Sequence, residues 1–387
     1  MIILFDDDSV WNENAMRYYK NLYKDIVPVN CDGNGFSIIN TISIYELYTN
    51  DNLQYLKNGR VYFLQTIIPK EYKVDLFEEE RAVISNYGET KGYIYFSRPY
   101  TERYVDRIEW VDETQKVYKR DYYSEHSYRF KSEYIFDNRI EEVWFNEFQE
   151  EKVSIDVKTG YIRTFEDGII NGCYESKDLL ERDCYFKILE SQEKIVVTTK
   201  RQLSLIESLY QKKANICDLV EYVDVKQLTP KICLRDRKKA LILTSTDNVY
   251  EVERLIKDFE NIEFSVAANT AMSAKLMDLV RYKNVKLYPG IDCKLAVQLL
   301  NESSFYLDIH GGNQIYSAVE RAYIYNSVIL GYKDTVHSKE GILSDCIVVE
   351  KDYDSFSMLL SRMINDINFY EECCRRQSVL LFDKEKE

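Results

Sequence analysis

Residues 307–332 read LDIHGGNQIYSAVERAYIYNSVILGY, and this stretch decides the fold class of the C-terminal half. An apolar run ends at two glycines, a segment with apolar residues at helical spacing follows, and a second apolar run closes the stretch. This order predicts a strand, a tight turn, a helix and a second strand. Such a unit belongs to a parallel sheet that is covered by helices on both faces.

The same rhythm extends in both directions from residue 238 onward. Helices are predicted to begin after Asp247 or Asn248 and after Asn269 or Thr270, because these side chains are good N-caps. A long closing helix is predicted near the C-terminus. The predicted strands are KKALILTST, IEFSVAA, VKLYPG, SFYLDIHGG, SVILGY and CIVVEKD.

The N-terminus opens in a similar way. The run MIILFDD predicts a buried strand that ends in acidic residues, and Ser9 is a plausible N-cap for the helix after it. The segment IVPVNCDGNG then predicts a second strand and a turn. Together they form a βαβ opening of the doubly wound type.

Residues 60–164 have a different character, because apolar and polar residues alternate there. Tyr93 and Tyr95 are predicted to lie on one face of a strand, whereas Ile94 and Phe96 lie on the other face. Breaks at roughly hairpin spacing predict an antiparallel meander. Its face rich in Tyr, Arg and Glu is either a docking surface or simply exposed to solvent.

The predicted fold class is therefore α/β, with two Rossmann-like lobes of the glycosyltransferase-B type and an antiparallel β-sheet insertion in the N-terminal half. The predicted domains are an N-terminal α/β lobe (1–59 and 165–235), the β-meander insertion (60–164), a C-terminal α/β lobe (236–360) and a closing helix (361–387).

Length and charge limit the possible partners. The chain has 387 residues, of which 45% are hydrophobic, so we expect two domains with sizeable cores. Its net charge of −14 disfavours duplex nucleic acid and anionic membranes. The densest basic run, LRDRKKA at 234–240, is interpreted as a solvated linker. The 33 tyrosines fit either amphipathic strand faces or a polar aromatic binding surface.

The sequence predicts neither a metal site nor a cofactor. Its nine cysteines show no CxxC spacing and only three histidines accompany them, which favours reduced cytosolic thiols. The acidic residues Asp6 to Asp8 are interpreted as caps before a helix rather than as metal ligands. We predict no signal peptide and no membrane-spanning segment.

Candidate site residues follow from the rule that open α/β sheets bind ligands at the carboxyl ends of their strands. The glycines of HGGNQ could offer backbone N–H groups to a diphosphate, or could serve only as a tight turn. The residues predicted to line the cleft and a remnant donor loop are Thr246, Asn269, His310, Gly311, Gly312 and Asn313.

Transfer chemistry nevertheless looks incomplete. Active two-lobed retaining transferases usually place basic residues in the loop after the first strand of the C-terminal lobe, but TSTDN at 244–248 has none. They also carry two glutamates seven residues apart. Glu320 fits the second of these, whereas Gly312, Asn313 and Gln314 stand where the first is expected. Glu320 is therefore interpreted as a remnant, and no catalytic residue is expected.

The histidines offer little further chemistry. His126 is predicted to be a surface or turn residue, and His337 lies in a predicted loop. His310 lies at the mouth of the predicted cleft, where a binding role and a structural role remain equally open.

Two long stretches resemble the GtfB family of accessory Sec-system glycosylation proteins. The first is YIYFSRPYTERYVDRIEWVDETQKVYKRDYYSEHSYRFKSEYIFD, and the second is YLDIHGGNQIYSAVERAYIYNSVILGYKDTVH. The likeness is carried by the pattern from Arg103 to Asp112, the RDYY turn at 120–123, and the pattern from Asp308 to Val319. It extends over most of the chain.

The resemblance implies a non-catalytic subunit that binds an unfolded serine-rich repeat adhesin. It implies a partner, a GtfA-like glycosyltransferase that moves GlcNAc from UDP-GlcNAc to Ser and Thr. It also implies that the β-meander docks this partner, for example through Tyr104, Trp110, Tyr122 and Tyr123. The expected location is the cytoplasm, with peripheral attachment to the membrane through the complex as an alternative.

Two other functions remain open at this point. The chain could be an active retaining transferase that extends glycans on a protein acceptor, which Glu320 and the glycine loop support. It could also be another accessory Sec component with the same fold and no role in transfer.

Overall fold

A computed structural model describes residues 1–33, 41–49, 59–123, 126–190, 192–210, 218–230, 232, 234–338, 342–348 and 351–380. The chain divides into two compact units. The first comprises Met1–Asn12 and Tyr19–Asp224, and the second comprises Glu13–Tyr18 and Val225–Glu387.

The N-terminal elements confirm the predicted βαβ opening. They are β1 (Ile2–Phe5), α1 (Val10–Leu22), β2 (Val27–Asn30), β3 (Ile42–Ser43) and α2 (Glu46–Thr49). All four residues of β1 are buried, and β1 pairs with β2 in parallel. Ser9 caps α1 as predicted, because its side chain accepts a hydrogen bond from the Asn12 backbone N–H at 3.4 Å.

An antiparallel sheet follows, and its strands pair in the order of the sequence. This confirms the predicted meander, although β13 lies beyond the predicted boundary at residue 164. Ile94 and Phe96 are buried while Tyr93 and Tyr95 stay half-exposed, so the predicted assignment of these side chains to two faces of the strand is correct. The strands are β4 (Lys73–Asp75), β5 (Arg81–Asn86), β6 (Glu89–Phe96), β7 (Val105–Val111), β8 (Val117–Tyr122), β9 (Lys131–Phe136), β10 (Arg139–Phe145), β11 (Glu151–Asp156), β12 (Ile162–Glu166) and β13 (Ile169–Tyr174).

The chain then returns to the first parallel sheet. It forms α3 (Lys177–Glu190), β14 (Ile195–Val197), α4 (Lys200–Tyr210) and β15 (Val220–Tyr222). The strand order is β15-β14-β1-β2-β3, with every pair parallel. Apolar side chains of these strands pack with those of α3 and α4 in one core.

The second unit is built around another parallel sheet, with the strand order β18-β17-β16-β19-β20-β21. This confirms the prediction of an α/β fold with parallel sheets and a large antiparallel sheet. Its elements are β16 (Lys239–Thr244), α5 (Val252–Asp258), β17 (Glu263–Ala268), α6 (Ala274–Met277), β18 (Val285–Tyr288), α7 (Cys293–Glu302), β19 (Phe305–Asp308), α8 (Ala318–Ile324), β20 (Val328–Tyr332), β21 (Ile347–Val348), α9 (Tyr353–Asn365) and α10 (Ile367–Val379).

Two predicted helix starts in this unit are wrong. Helix α5 begins only after Glu251, and Ser273 rather than Asn269 or Thr270 caps α6. The side chains of Asp247 and Asn248 are used elsewhere: the Asp247 carboxylate accepts from the Ser273 backbone N–H at 3.3 Å, and the Asn248 amide donates to the Tyr250 hydroxyl at 3.2 Å.

The predicted closing helix is two helices within the described residues. Asp366 has an extended backbone, which ends α9, and its side chain caps α10 by accepting from the Phe369 N–H at 3.1 Å. Residues 381–387 of that prediction lie outside the described part of the chain. Among the described helices, none combines the length and apolar character needed to cross a membrane.

The basic run at 234–240 is solvated in part, as predicted, because Leu234, Asp236 and Lys238 are exposed, but its two arginines bind the fold. Arg235 donates to the backbone carbonyl of Ser303 at 2.9 Å and also to that of Tyr325. Arg237 donates to the carbonyl of Ile364 at 2.6 Å. Both guanidinium groups are thus bound to backbone oxygen atoms of the second unit.

No disulfide bond joins the described cysteines. Burial raises the pKa of the Cys184 thiol to about 12, and that of the Cys293 thiol to about 11, so both stay protonated near neutral pH. Cys217 and Cys233 lie outside the described residues.

Candidate functional site

Topology places a crevice in the second unit between β16 and β19. These two strands are neighbours in the sheet, and the connections from them run in opposite directions. Ligands of open α/β sheets bind at such a switch point, beyond the carboxyl ends of the strands. The loops at this position are residues 245–251, hereafter the first loop, and residues 309–317, hereafter the glycine loop.

The two loops are bound directly to each other. Val249 and His310 form an antiparallel bridge, and the Tyr250 N–H donates to the Ile309 carbonyl at 2.9 Å. The Ser245 hydroxyl donates to the carbonyl of Asn313 at 2.8 Å. The crevice above β16 and β19 is therefore spanned by the chain's own backbone.

The two adjacent glycines permit this close approach. A Cβ atom added at Gly311 would lie 2.9 Å from the Asn248 side-chain amide nitrogen. One added at Gly312 would lie 2.5 Å from the Ser245 hydroxyl and 2.8 Å from a methyl carbon of Thr246. Packing between the two loops thus explains Gly312, whereas a side chain at Gly311 would meet only the movable end of the Asn248 side chain.

The N–H groups of these glycines are also engaged. The Gly311 N–H donates to the Asn248 carbonyl, and the Gly312 N–H donates to His310 Nδ1 at 3.2 Å. In addition, α8 begins only at Ala318, after Tyr316 and Ser317 with positive φ. The strand–turn–helix arrangement that would aim a helix N-terminus at a diphosphate is therefore not formed here.

The structure brings together most of the predicted cleft residues. Thr246 accepts from the Asn248 N–H at 3.2 Å, so it shapes the first loop against the glycine loop. His310, Gly311, Gly312 and Asn313 form the glycine loop itself. Asn269 follows the neighbouring strand β17 and is half-buried there.

Glu320 is bound by an amide instead of a second carboxylate. The Gln314 side chain donates to Glu320 Oε2 at 2.5 Å. The adjacent Arg321 is buried and donates to Glu13 Oε2 at 3.0 Å, and both residues belong to the second unit. Arg321 is thus held inside the second unit by a buried carboxylate.

Sequence reasoning missed one cation near the first loop. Lys351 lies with its Nζ 4.0 Å from the centre of the Tyr250 ring. Its hydrogen bond to the Tyr250 hydroxyl, together with that of Asn248, lowers the pKa of this tyrosine. About a hundred residues separate the two along the sequence, so no local pattern indicates this contact.

Two histidines meet at the glycine loop, which the sequence did not indicate. The His310 and His337 rings lie 4.5 Å apart, centre to centre. His337 Nδ1 is 2.7 Å from Asp308 Oδ1, and the hydrogen bond to Asp308 raises the pKa of His337. Burial and then the charge of His337 lower the pKa of His310 to about 4.

These three residues have the spacing of metal ligands, but their hydrogen bonds do not fit a metal. Ligand atoms of Asp308, His310 and His337 lie within 4.8 Å of one another. A metal needs a free lone pair on each histidine. Since the Gly312 N–H occupies His310 Nδ1, the neutral ring carries its proton on Nε2. We therefore derive no metal chemistry from this cluster.

Of the two predictions for the third histidine, the turn residue is confirmed and the surface residue is wrong: His126 lies in a bend, where its backbone N–H donates to the Tyr123 carbonyl at 3.1 Å. His126 is buried in the first unit, its Nε2 lies 2.7 Å from Glu46 Oε1, and its ring stacks on Phe130 at 4.0 Å. A buried carboxylate partner and an aromatic neighbour satisfy this ring within the core.

The interpretation of Asp6 to Asp8 as helix caps is wrong, because Ser9 caps α1 and the three carboxylates bind other groups. Asp6 binds Arg201 at 3.0 Å, and Asp7 accepts from the Ser9 N–H at 2.9 Å. Asp8 accepts from the Asn30 side chain at 3.0 Å. Their charges thus hold the carboxyl edge of the first parallel sheet together.

Two of the four tyrosine and tryptophan residues predicted to dock a partner are buried. Trp110 donates to Asp121 at 2.7 Å beneath the antiparallel sheet, and Tyr123 is 1% exposed. Trp110 lies on the buried face of β7, whose side chains alternate between two faces, and Tyr123 follows β8 and joins the same apolar core. Tyr104 and Tyr122 remain half-buried and within reach of solvent.

The other face of this sheet carries a ladder of charges and tyrosines. Glu109 lies between Arg107 and Arg120, with an oxygen 3.1 Å from each. Arg107 lies opposite Tyr95 on one side and Tyr122 on the other, with its guanidinium 4.0 Å from the Tyr95 ring centre. Cross-strand pairs of this kind hold an exposed face in a fixed arrangement.

Comparison with known proteins gives two family matches. Residues 240–377 match the family described as the GftB/GlyA-F C-terminal domain, and residues 72–171 match the GtfB middle domain. A similar protein of Streptococcus agalactiae is named "UDP-N-acetylglucosamine--peptide N-acetylglucosaminyltransferase stabilizing protein GtfB"; it is 24% identical and covers 98% of this chain and 96% of its own. A protein of the same name from Limosilactobacillus reuteri subsp. suis is 41% identical over 27% of this chain and 24% of its own.

Solved structures show the same fold. A chain of the crystal structure of the GtfA/B complex bound to UDP and GlcNAc has a TM-score of 0.68 at 20% identity, covering 98% of this chain and 96% of its own. A chain of the Gap123 glycosylation-associated protein complex of Streptococcus agalactiae has a TM-score of 0.52 at 10% identity, covering 99% and 97%. The described fold is therefore that of the glycosyltransferase-B-like GtfA/B proteins.

Proposed function

Because the chain belongs to the GtfB family, whose middle and C-terminal domains it carries, we propose that it is a non-catalytic subunit of a protein O-glycosyltransferase complex. In this role it stabilises a GtfA-like partner that transfers GlcNAc from UDP-GlcNAc to Ser and Thr side chains. The name of the similar S. agalactiae protein, a stabilizing protein of such a transferase, supports this role.

The observation that carries the proposal is the direct binding of the first loop to the glycine loop. Backbone groups that could receive a diphosphate are used for Tyr250–Ile309 and Gly311–Asn248 hydrogen bonds. Donor binding would first have to break these bonds, and each broken bond leaves a polar group unsatisfied. The chain therefore works without a nucleotide sugar of its own.

The acceptor in this proposal is an unfolded serine-rich repeat adhesin. A neutral peptide rich in hydroxyl groups suits a chain with a net charge of −14, because it is not repelled as an acidic ligand would be. Tyrosines on the exposed ladder offer rigid rings and hydroxyl groups for such contacts. Main-chain pairing at a sheet edge would add affinity without sequence preference.

The partner docks, in this proposal, on the antiparallel sheet that extends over β4 to β13. Tyr104 and Tyr122 supply aromatic contacts there, while Trp110 and Tyr123 hold the sheet from inside. Interfaces commonly place tyrosine and arginine at their energetic centres, and the ladder combines both.

We place the complex in the cytoplasm, with peripheral attachment at the cytoplasmic face of the membrane through the partner. The domain boundaries inferred above, at residues 59, 235 and 360, belong to the same proposal, with the end of the insertion moved from residue 164 to the end of β13 at Tyr174. The proposed cleft lining comprises Thr246, Asn269, His310, Gly311, Gly312 and Asn313.

The experiment is a calorimetric titration of the full chain with UDP-GlcNAc, beside a titration with an unglycosylated serine-rich peptide. We expect heat of binding from the peptide only. The control peptide carries Ala at every Ser and Thr and should bind more weakly, since its hydroxyl groups are missing. Micromolar binding of UDP-GlcNAc would overturn the proposal.

The second candidate function is that of an active retaining transferase that extends glycans on a protein acceptor. The position of Glu320 beside the glycine loop at the switch point is the observation that favours it. This candidate requires donor binding by the isolated chain, so the same titration separates the two functions.

A further inference from the structure

His337 presents both ring nitrogens to hydrogen-bond acceptors. Nδ1 lies 2.7 Å from Asp308 Oδ1, and Nε2 lies 2.6 Å from the backbone carbonyl oxygen of Gly312. A carbonyl oxygen cannot donate, and a neutral imidazole has only one N–H. Both contacts can be hydrogen bonds at the same time only if a second proton is present. The ring is then an imidazolium ion that faces the Asp308 carboxylate.

His310 takes the opposite form. The backbone N–H of Gly312 donates to His310 Nδ1 at 3.2 Å, so this nitrogen keeps its lone pair. The ring is buried, 1% exposed, and its centre lies 4.5 Å from that of His337. Burial and a neighbouring positive charge both favour the neutral ring. The two adjacent histidines thus differ in charge near neutral pH.

Gly312 contacts both histidines through its backbone, with its N–H at His310 and its carbonyl oxygen at His337. We propose that charged His337 and neutral His310 form a proton-dependent clamp on Gly312, which releases the glycine loop when His337 loses its proton. The clamp consists of Asp308, His310, Gly312 and His337. It concerns the conformation of this loop and does not rest on the proposed function.

The surroundings of His337 favour the charged form. Asp308, at the end of β19, makes two contacts with His337. Besides the contact of Oδ1 with the ring, Asp308 Oδ2 accepts from the His337 backbone N–H at 2.8 Å. Glu320 acts on it electrostatically from α8, and the neutral His310 ring stacks against it. The hydrogen bond to Asp308 raises the pKa of His337 most, while partial burial opposes this rise.

The direction of the pH effect follows from this raised pKa. A group whose pKa is higher in the folded chain stabilises it fully below its unfolded pKa, about 6.5 for histidine. The stabilisation is lost as the pH rises through the raised value. Above that pH, a ring nitrogen without a proton faces an acceptor oxygen, which removes one side of the clamp.

The test uses the full chain and the fact that it has only three histidines. We would label the imidazole nitrogens with ¹⁵N and follow them by NMR from about pH 5 to about pH 9, the range around the histidine pKa. We expect one ring to keep both protons at neutral pH and to titrate above 6.5. A second ring should stay neutral through the whole range, with its proton on Nε2. His337→Gln and His310→Gln assign the two signals.

The NMR signal of the Gly312 amide is the second measurement. A histidine with a purely structural role would not change the chemical shift of this signal. It should shift with the same midpoint as His337 and lose this shift in His337→Gln. Asp308→Asn should lower the His337 midpoint by about one pH unit or more, whereas Glu320→Gln, which removes a more distant charge, should lower it less. The clamp is refuted in the unmodified chain if His337 is neutral at pH 6, or if Gly312 does not respond to its titration.

Discussion

Glu320 shows how a residue with the correct identity for catalysis can serve a local purpose. Its carboxylate is bound by the Gln314 amide, and the position seven residues before it, where the second glutamate of a catalytic pair would stand, is Asn313. A single carboxylate bound in this way lacks the partner that would share the work of a retaining reaction.

We therefore predict that Glu320→Gln leaves glycosylation by the complex with the catalytic partner unchanged. The glutamine retains an oxygen that can accept from Gln314, so the glycine loop should keep its shape. The measurement is GlcNAc transfer to a serine-rich peptide, with thermal unfolding as the check on folding. Loss of a catalytic carboxylate costs about 10²- to 10⁴-fold, so a drop of that size in a folded variant would establish the active-transferase alternative.

Residue positions were predicted well where the neighbours in sequence decide the environment. Ser9 caps α1 and Ile94 faces the core, because both depend on a few adjacent residues. His126 was mistaken for a surface residue, because its partners Glu46 and Phe130 reach it through the fold. One of them, Glu46, lies far away in sequence.

At the scale of elements, strands were easier to predict than helix starts. The buried run of β16 is continuous and the alternation in β6 is clear, so both were found. Helix starts in the second unit depend on which polar side chain is free to cap. Asp292 is such a residue, since its carboxylate accepts from the Leu295 N–H at 2.8 Å at the start of α7.

We expect Asp292→Ala to destabilise the second unit by about 1 kcal/mol, because it leaves an N–H at the start of α7 without its acceptor. This corresponds to a fall of about 2–4 °C in the unfolding midpoint of a unit of this size. Differential scanning calorimetry measures it. The matched control is Asp292→Asn, which retains a capping oxygen and should behave like the unaltered chain; an equal loss in both would show that capping is not the cause.

At the scale of the whole molecule, net charge governs non-specific binding. The chain carries −14, and carboxylates face the two lysines of its densest basic run, with Lys238 3.7 Å from Asp236 and Lys239 3.2 Å from Glu302. An anionic surface would therefore repel the chain without a compensating local attraction.

Accordingly, the isolated chain should not co-sediment with vesicles of anionic phospholipid at physiological salt. Vesicles of neutral phospholipid serve as the control and should give the same low background. Binding to the anionic vesicles that disappears when salt is added would mean that a basic surface exists after all, and that the chain reaches the membrane without its partner.

The sequence by itself determined the α/β fold with its antiparallel insertion, the polarity of the sheet faces and the absence of basic residues from TSTDN at 244–248. These features depend on periodicity, composition and residue identity, which are local. Tertiary structure alone decided that the two loops bind each other, that Arg321 pairs with Glu13 and that two histidines hold Gly312. Contacts between distant residues follow from packing the elements together, and no pattern within a short segment encodes them.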